Sequence, residues 1–175
     1  MVKFKEIADN LVNRQLRIKE NEVVKISGGL HNLEFVEEIA VQVRKSGAFP
    51  MVSIGWESIL RRLINDAPDQ CLKIPPRYRV DIENLIDCRI SLPMVPDERT
   101  AARMNPEKVR LNSKALRIVQ EASSTKGYRR IGIGFPTIEE AESYGIPFDQ
   151  YHDDFWKAVN ADIDDISQLC HKVRH

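Results

Sequence analysis

Four histidines and three cysteines are the scarce reactive groups of this sequence, and their spacing decides what chemistry it could support. Asp149, His152, Asp153 and Asp154 form the densest cluster, and imidazole with carboxylate is a suitable donor set for a divalent metal. On a helix, however, Phe148, Tyr151, Phe155 and Val159 take the inward stripe, which leaves Asp149 and Asp153 as an exposed acidic pair without an obvious further ligand. His171 and His175 stand four apart with Cys170 beside them, a spacing that can place two ligands on one helical face. His175 is the last residue of the sequence, and a histidine there is expected to be solvated. Nucleophilic catalysis has no better footing: there is no Gly-x-Ser-x-Gly elbow, and Cys170 and His171 point to different sides of their helix. Cys71, Cys88 and Cys170 are odd in number, contain no Cys-x-x-Cys pair, and are expected to be reduced, buried thiols.

One anion-binding candidate remains. Ser27-Gly28-Gly29-Leu30-His31-Asn32 joins a strand to a helix N-terminus, where free N–H groups and the helix dipole attract negative charge. The three-glycine dinucleotide spacing is missing, and Gly132 and Gly134 lie inside a strand instead of after one, so the segment is read as a tight structural turn. Trp56 and Trp156 are read as packing or interface anchors, not as base-stacking platforms.

The elements that would position these groups follow from periodicity. Phe4, Ile7, Ala8 and Leu11 predict a helix to about Arg14; Glu22 to Ile26 predict a strand stopped by Ser27-Gly28-Gly29. Leu33, Val36, Ile39, Ala40 and Val43 mark a second helix capped by Asn32, and Phe49 to Ile54 a second strand, which completes a βαβ unit. A third helix spans roughly Trp56 to Asn65, and the prolines at 68, 75 and 76 predict a loop or a crossover segment without regular structure for a few residues. Ile86, Cys88, Ile90 and Leu92 alternate with polar residues, which suggests a strand near a sheet edge. Asn105-Pro106 opens one long helix to about Ala122, and Ile131 to Phe135 form the last strand, stopped by Pro136. Thr137 and Glu140 have capping-box spacing, and two further helices follow, the second with the stripe Ile163, Ile166, Cys170 and Val173. The expected fold is therefore a single α/β domain over 1–175: a three-layer, Rossmann-like arrangement with a small, mostly parallel sheet of about four strands flanked by helices.

Lys and Arg total 26 and so do Asp and Glu, so there is no cationic surplus for a nucleic-acid or anionic-membrane partner. The charged start of the chain and the lack of any run near ~20 apolar residues predict a cytoplasmic protein that does not enter a membrane.

Six short stretches carry a resemblance. They are Ala8-Asp9-Asn10-Leu11-Val12, Lys45-Ser46-Gly47-Ala48, Asn65-Asp66-Ala67-Pro68, Ile86-Asp87-Cys88-Arg89-Ile90, Gly134-Phe135-Pro136-Thr137, and Phe155-Trp156-Lys157-Ala158-Val159-Asn160-Ala161-Asp162. In order and spacing the chain resembles, from end to end, the N-terminal domain of the thermophilic-type metallo-aminopeptidases, the family of aminopeptidases T and S and leucyl aminopeptidase-like relatives. The resemblance implies release of N-terminal residues from peptides by a divalent metal pair, of zinc, cobalt or manganese. It also implies that the Glu, His and Asp ligands belong to a C-terminal catalytic domain absent from this chain, which alone would be inactive, bind no metal and need that domain as its partner. Self-association into a homo-oligomer is left open. By analogy with open α/β sheets, Gly28, Gly29, His31, Asn32, Trp56, Pro136 and Thr137 are the candidates for facing the substrate cavity. Two other readings stand beside this one: a free-standing nucleotide or small-acid binding module using the Ser27-Gly28-Gly29 turn, and a non-catalytic protein-interaction domain.

Overall fold

Four short strands form the sheet of the computed structural model, which describes residues 3–94 and 103–161. They are β1 (Val23–Gly29), β2 (Phe49–Gly55), β3 (Cys88–Ser91) and β4 (Arg129–Gly132), in the order β2-β1-β3-β4 with every neighbouring pair parallel. β1 runs through Ser27, Gly28 and Gly29, which pair with Ser53, Ile54 and Gly55, so the turn expected at Ser27 begins at Leu30 instead. β3 lies between β1 and β4, not near an edge as its alternation suggested. That alternation has another cause: Cys88 and Ile90 enter an apolar core, while Arg89 enters a charged cluster on the opposite face. The edges are β2 and β4. In β2, Phe49 donates its N–H to the Glu22 carbonyl at 2.8 Å, so the next residue, Pro50, turns its donorless nitrogen to the open side, where proline is tolerated.

The apolar face is covered by α1 (Phe4–Asp9), which continues as a π-helix over Asn10–Gln15, by α2 (Leu33–Lys45), and by the Trp156 region of the last described helix. Ile7, Leu11, Val12, Phe35, Val36 and Ile39 meet Val24, Ile26, Cys88 and Ile90 of the sheet. Between β2 and β3 come α3 (Glu57–Asn65), the one-turn α4 (Asp69–Leu72), where a loop was expected, and α5 (Arg77–Leu85). Periodicity did not reveal α5 because Tyr78 and Leu85 are exposed and its fully buried residue is the charged Glu83. The single long helix expected after Asn105 is two, α6 (Pro106–Ala115) and α7 (Arg117–Lys126), broken at Leu116. α6 packs against α3 and α4, and α7 against α5, so the break lets one stretch serve two surfaces. Asn105 caps α6 as expected, accepting from the N–H groups of Glu107 and Lys108 at 3.0 and 3.2 Å.

On the second face of the sheet Glu83, 1% exposed, is the hub of a charged cluster. Its carboxylate accepts from Lys25 at 3.2 Å, from the Tyr128 hydroxyl at 2.7 Å, and from Arg89. The Tyr128 hydroxyl also lies 2.6 Å from Ser123 Oγ, and the Arg89 guanidinium lies over the Tyr128 ring. Burial pushes the Glu83 carboxyl up, but Tyr128, Arg89 and Lys25 together outweigh it and hold the group below its ordinary value. A depressed carboxylate adds stability above its unfolded pKa and loses it as the pH falls through the folded one. Replacing Glu83 by Ala would strand two cations and is expected to lower stability by about 3–5 kcal/mol at pH 7. Urea unfolding checks this, and in Glu83→Gln the fraction of the acid dependence below about pH 4.5 that stems from Glu83 disappears.

Candidate functional site

A parallel sheet delivers all its strand carboxyl ends to one side, and most of the candidate residues gather there. β1 ends at Gly29 and passes through a tight 3₁₀ turn, Leu30–Asn32, into α2. Asn32 is 1% exposed and turns its side chain back toward the sheet instead of capping α2. Its Oδ1 accepts the Gly29 N–H at 2.9 Å, and its Nδ2 donates to the Pro93 carbonyl at 2.8 Å and lies 3.2 Å from His31 Nε2. One amide thus joins the ends of β1 and β3. The glycines are required by these close approaches. A Cβ at Gly28 would stand 2.6 Å from both Asn32 Oδ1 and Val36 Cγ2, and one at Gly29 would collide with the Met94 carbonyl. At Gly55 it would meet Met94 Sδ at 2.9 Å.

The strand order reverses between β1 and β3, the place where open α/β sheets bind ligands, and here the protein fills it with its own atoms. The Gly29 N–H that an anion would use is already bonded, and Met94 lies against the backbone that a phosphate would approach.

On the β4 side, Pro136 and Thr137 are buried. Thr137 Oγ1 accepts from the Glu140 N–H at 3.2 Å, the Glu140 carboxylate accepts the Thr137 N–H at 3.4 Å, and α8 (Ile138–Tyr144) starts as the capping-box spacing predicted. Phe135 meets the His31 ring edge-on at 5.7 Å, which connects this loop to the end of β1. Burial pulls the His31 pKa below its ordinary value, so the imidazole is neutral at pH 7. Trp56 follows Gly55 at the head of α3 and is 42% exposed. Leu30 in the turn after β1, and Leu33 and Ile138 at the first positions of α2 and α8, are also exposed. Pro93, Met94 and Phe135 belong to this end too; their part arises from long-range approach, and no local spacing announces it.

The other candidates separate from it. His152 Nδ1 lies 3.6 Å from Asp153 Oδ1, and its ring meets Phe148 at a tilt and Trp156 edge-on in α9 (Phe148–Val159). Among the described residues no group of three or more His, Cys, Asp and Glu could hold a metal ion. The buried residue of α9 is Trp156, not the expected stripe alone: its indole sits among Phe4, Phe35, Phe135 and Phe155 with ring centres 5.1–5.6 Å away. Phe155 and Val159 are partly buried beside it. Burial raises the Cys88 thiol to about 11, which makes it unreactive, whereas Cys71 is exposed, contrary to expectation, because one-turn α4 buries only Leu72. Cys170, His171, His175 and the stripe from Ile163 to Val173 lie outside the described residues.

The profile of the thermophilic metalloprotease (M29) family matches residues 2–173. The chain belongs to this family. Wild-type AmpT from Thermus thermophilus shares the M29 chain's fold, with a TM-score of 0.67 at 20% identity over 89% of this chain and 42% of AmpT. The chain therefore spans less than half the length of that solved relative. A comparison with curated proteins gives no match. The described residues of this M29 chain do not fit a metal pair, because no ligand group is assembled among them. None of its described helices is long and apolar enough to cross a membrane.

Two outcomes follow from the Asn32 geometry. Asn32→Leu leaves the Gly29 N–H and Pro93 carbonyl unpaired in the interior and is expected to cost about 2–4 kcal/mol by urea unfolding. Millimolar ATP or NAD is expected to leave the melting temperature unchanged, since the Gly29 N–H is already bonded to Asn32 and Met94 lies against the glycine backbone at the end of β1.

Proposed function

We propose that this chain is the non-catalytic domain of a metal-dependent aminopeptidase that releases N-terminal residues from peptides, working with a second domain that carries the metal pair. The observation that carries this reading is the exposure of Leu30, Leu33, Trp56 and Ile138 at the carboxyl end of the sheet in an M29 chain. These side chains stand at one end of the sheet, where a covering domain would bury them. In this reading zinc, cobalt or manganese is held by the second domain, and the loops at Gly28, Gly29, His31, Asn32, Trp56, Pro136 and Thr137 form a wall of the substrate cavity. Asn32 and Thr137 serve as scaffolding, held by their hydrogen bonds, while Trp56 and the neutral His31 offer surfaces to a peptide. The free thiols Cys71 and Cys88 fit a reducing, cytoplasmic setting.

Hydrolysis of leucine amide in the presence of zinc, cobalt or manganese tests this. The isolated chain is expected to show no turnover above the metal alone, and adding an M29 metal-binding domain in trans is expected to produce it. Robust turnover by the chain alone would overturn the proposal. Leu30→Glu combined with Ile138→Glu should weaken the restored activity while leaving the melting temperature nearly unchanged, because both side chains are exposed.

A further inference from the structure

We propose that His31 is a pH-sensitive latch on the turn after β1: its neutral ring accepts a hydrogen bond from Asn32, and protonation expels the ring and loosens the junction of β1 and β3. The latch is a property of this chain by itself and does not depend on the peptidase reading.

The Asn32 amide is fully committed. Its Oδ1 accepts the Gly29 N–H at 2.9 Å, and one N–H of its Nδ2 goes to the Pro93 carbonyl at 2.8 Å. These two bonds fix which end of the amide is oxygen and which is nitrogen, because the reversed amide would set donor against donor at Gly29 and acceptor against acceptor at Pro93. The second N–H of Nδ2 is left for His31 Nε2, 3.2 Å away. Nε2 must therefore present its lone pair, and the proton of the neutral ring sits on Nδ1. Nδ1 and the Met94 carbonyl both crowd the point where a Cβ at Gly29 would stand, so that proton has an acceptor on its own side of the ring.

A proton added at Nε2 would bring two N–H groups face to face. Asn32 cannot yield, since turning its amide would leave both the Gly29 N–H and the Pro93 carbonyl unpaired. The half-buried ring, which otherwise meets Phe135 edge-on, is the partner that can move. Gly29 at the end of β1, Asn32, Met94 after β3 and Phe135 after β4 pack on it, and none of these four titrates. Burial acts in the same direction as the Asn32 bond and holds the His31 pKa below its ordinary value. A histidine that takes up a proton less readily when folded contributes its full stability above the unfolded pKa and loses it as the pH falls below that value. Leu30 and His31 stand on the face assigned above to the cavity wall, so that face is firm at neutral pH and loosened in acid.

A ¹H–¹⁵N titration of the full chain tests this. At neutral pH the His31 ring is expected to carry its proton on Nδ1, with Nε2 bare. As the pH falls, the Asn32 side-chain amide and the Gly29 N–H should shift with the midpoint of the ring, and protection of the Gly29 amide against hydrogen exchange should drop about tenfold, the measure of one lost hydrogen bond. His31→Gln, whose side-chain oxygen can accept the same N–H and does not titrate, should keep that protection throughout. A proton on Nε2 at neutral pH, a ring titration that Asn32 and Gly29 do not follow, or the same step in His31→Gln would overturn the proposal. So would a His31 midpoint at or above the ordinary histidine value, the result that a carboxylate of Asp97 or Glu98 beside the ring would give. Should His31→Gln not fold, the tautomer and the shared midpoint decide the matter. None of these readouts involves hydrolysis, so failure here leaves the peptidase reading standing.

Discussion

A parallel sheet must be shielded on both faces, and this protein does so with opposite chemistries. On one side Val24, Ile26, Cys88 and Ile90 meet a dry layer from α1, α2 and Trp156. On the other, register places Lys25 beside Arg89, and two cations side by side would repel each other if no anion lay between them and the helices above. Glu83 supplies that charge from α5, and Tyr128 orders it from the loop after α7. The tertiary arrangement of the second helical layer is thus tied to the need to neutralise one pair of residues in the two interior strands.

The same two strands govern the carboxyl end of the sheet. Asn32 closes the gap between β1 and β3 with hydrogen bonds to Gly29 and Pro93, and Met94 packs over Gly29 and Gly55. Three strand ends are therefore bound into a rigid, filled surface. A fold that elsewhere leaves a crevice at this point presents here a platform, with apolar side chains standing out from it.

Much of the fold was legible in the sequence because local patterns and tertiary structure agree. The βαβ unit, the Asn105 cap and the Thr137–Glu140 box arise from residues whose partners lie within a few positions. The failures share a cause. β3 read as a strand near a sheet edge and α5 went unseen because Arg89 and the buried Glu83 pair with each other inside the fold, and a pattern of apolar spacing cannot register such an ion pair. Asn32 read as a helix cap because its position allows it, whereas its actual partners include a carbonyl 61 residues away. Trp156 enters deeper than the expected stripe of α9 because Phe4, Phe35 and Phe135, from three other parts of the chain, converge on it together with the neighbouring Phe155. At the site, the glycines were identifiable by type, but the reason for them lies in Met94 and Val36, which only the folded chain brings near.

Membership of a metalloprotease family and the absence of a ligand group among the described residues are reconciled by the distribution of charge. A metal pair needs several carboxylates and imidazoles aimed at one point, held by a second shell of hydrogen bonds. In the described chain the most buried carboxylate, Glu83, is already committed to Lys25, Arg89 and Tyr128, and His31 is held neutral between Asn32 and Phe135. Such groups could turn to a metal only by abandoning the contacts that hold the sheet and its ends together. The architecture therefore assigns Glu83 and His31 to holding the sheet and its strand ends in place.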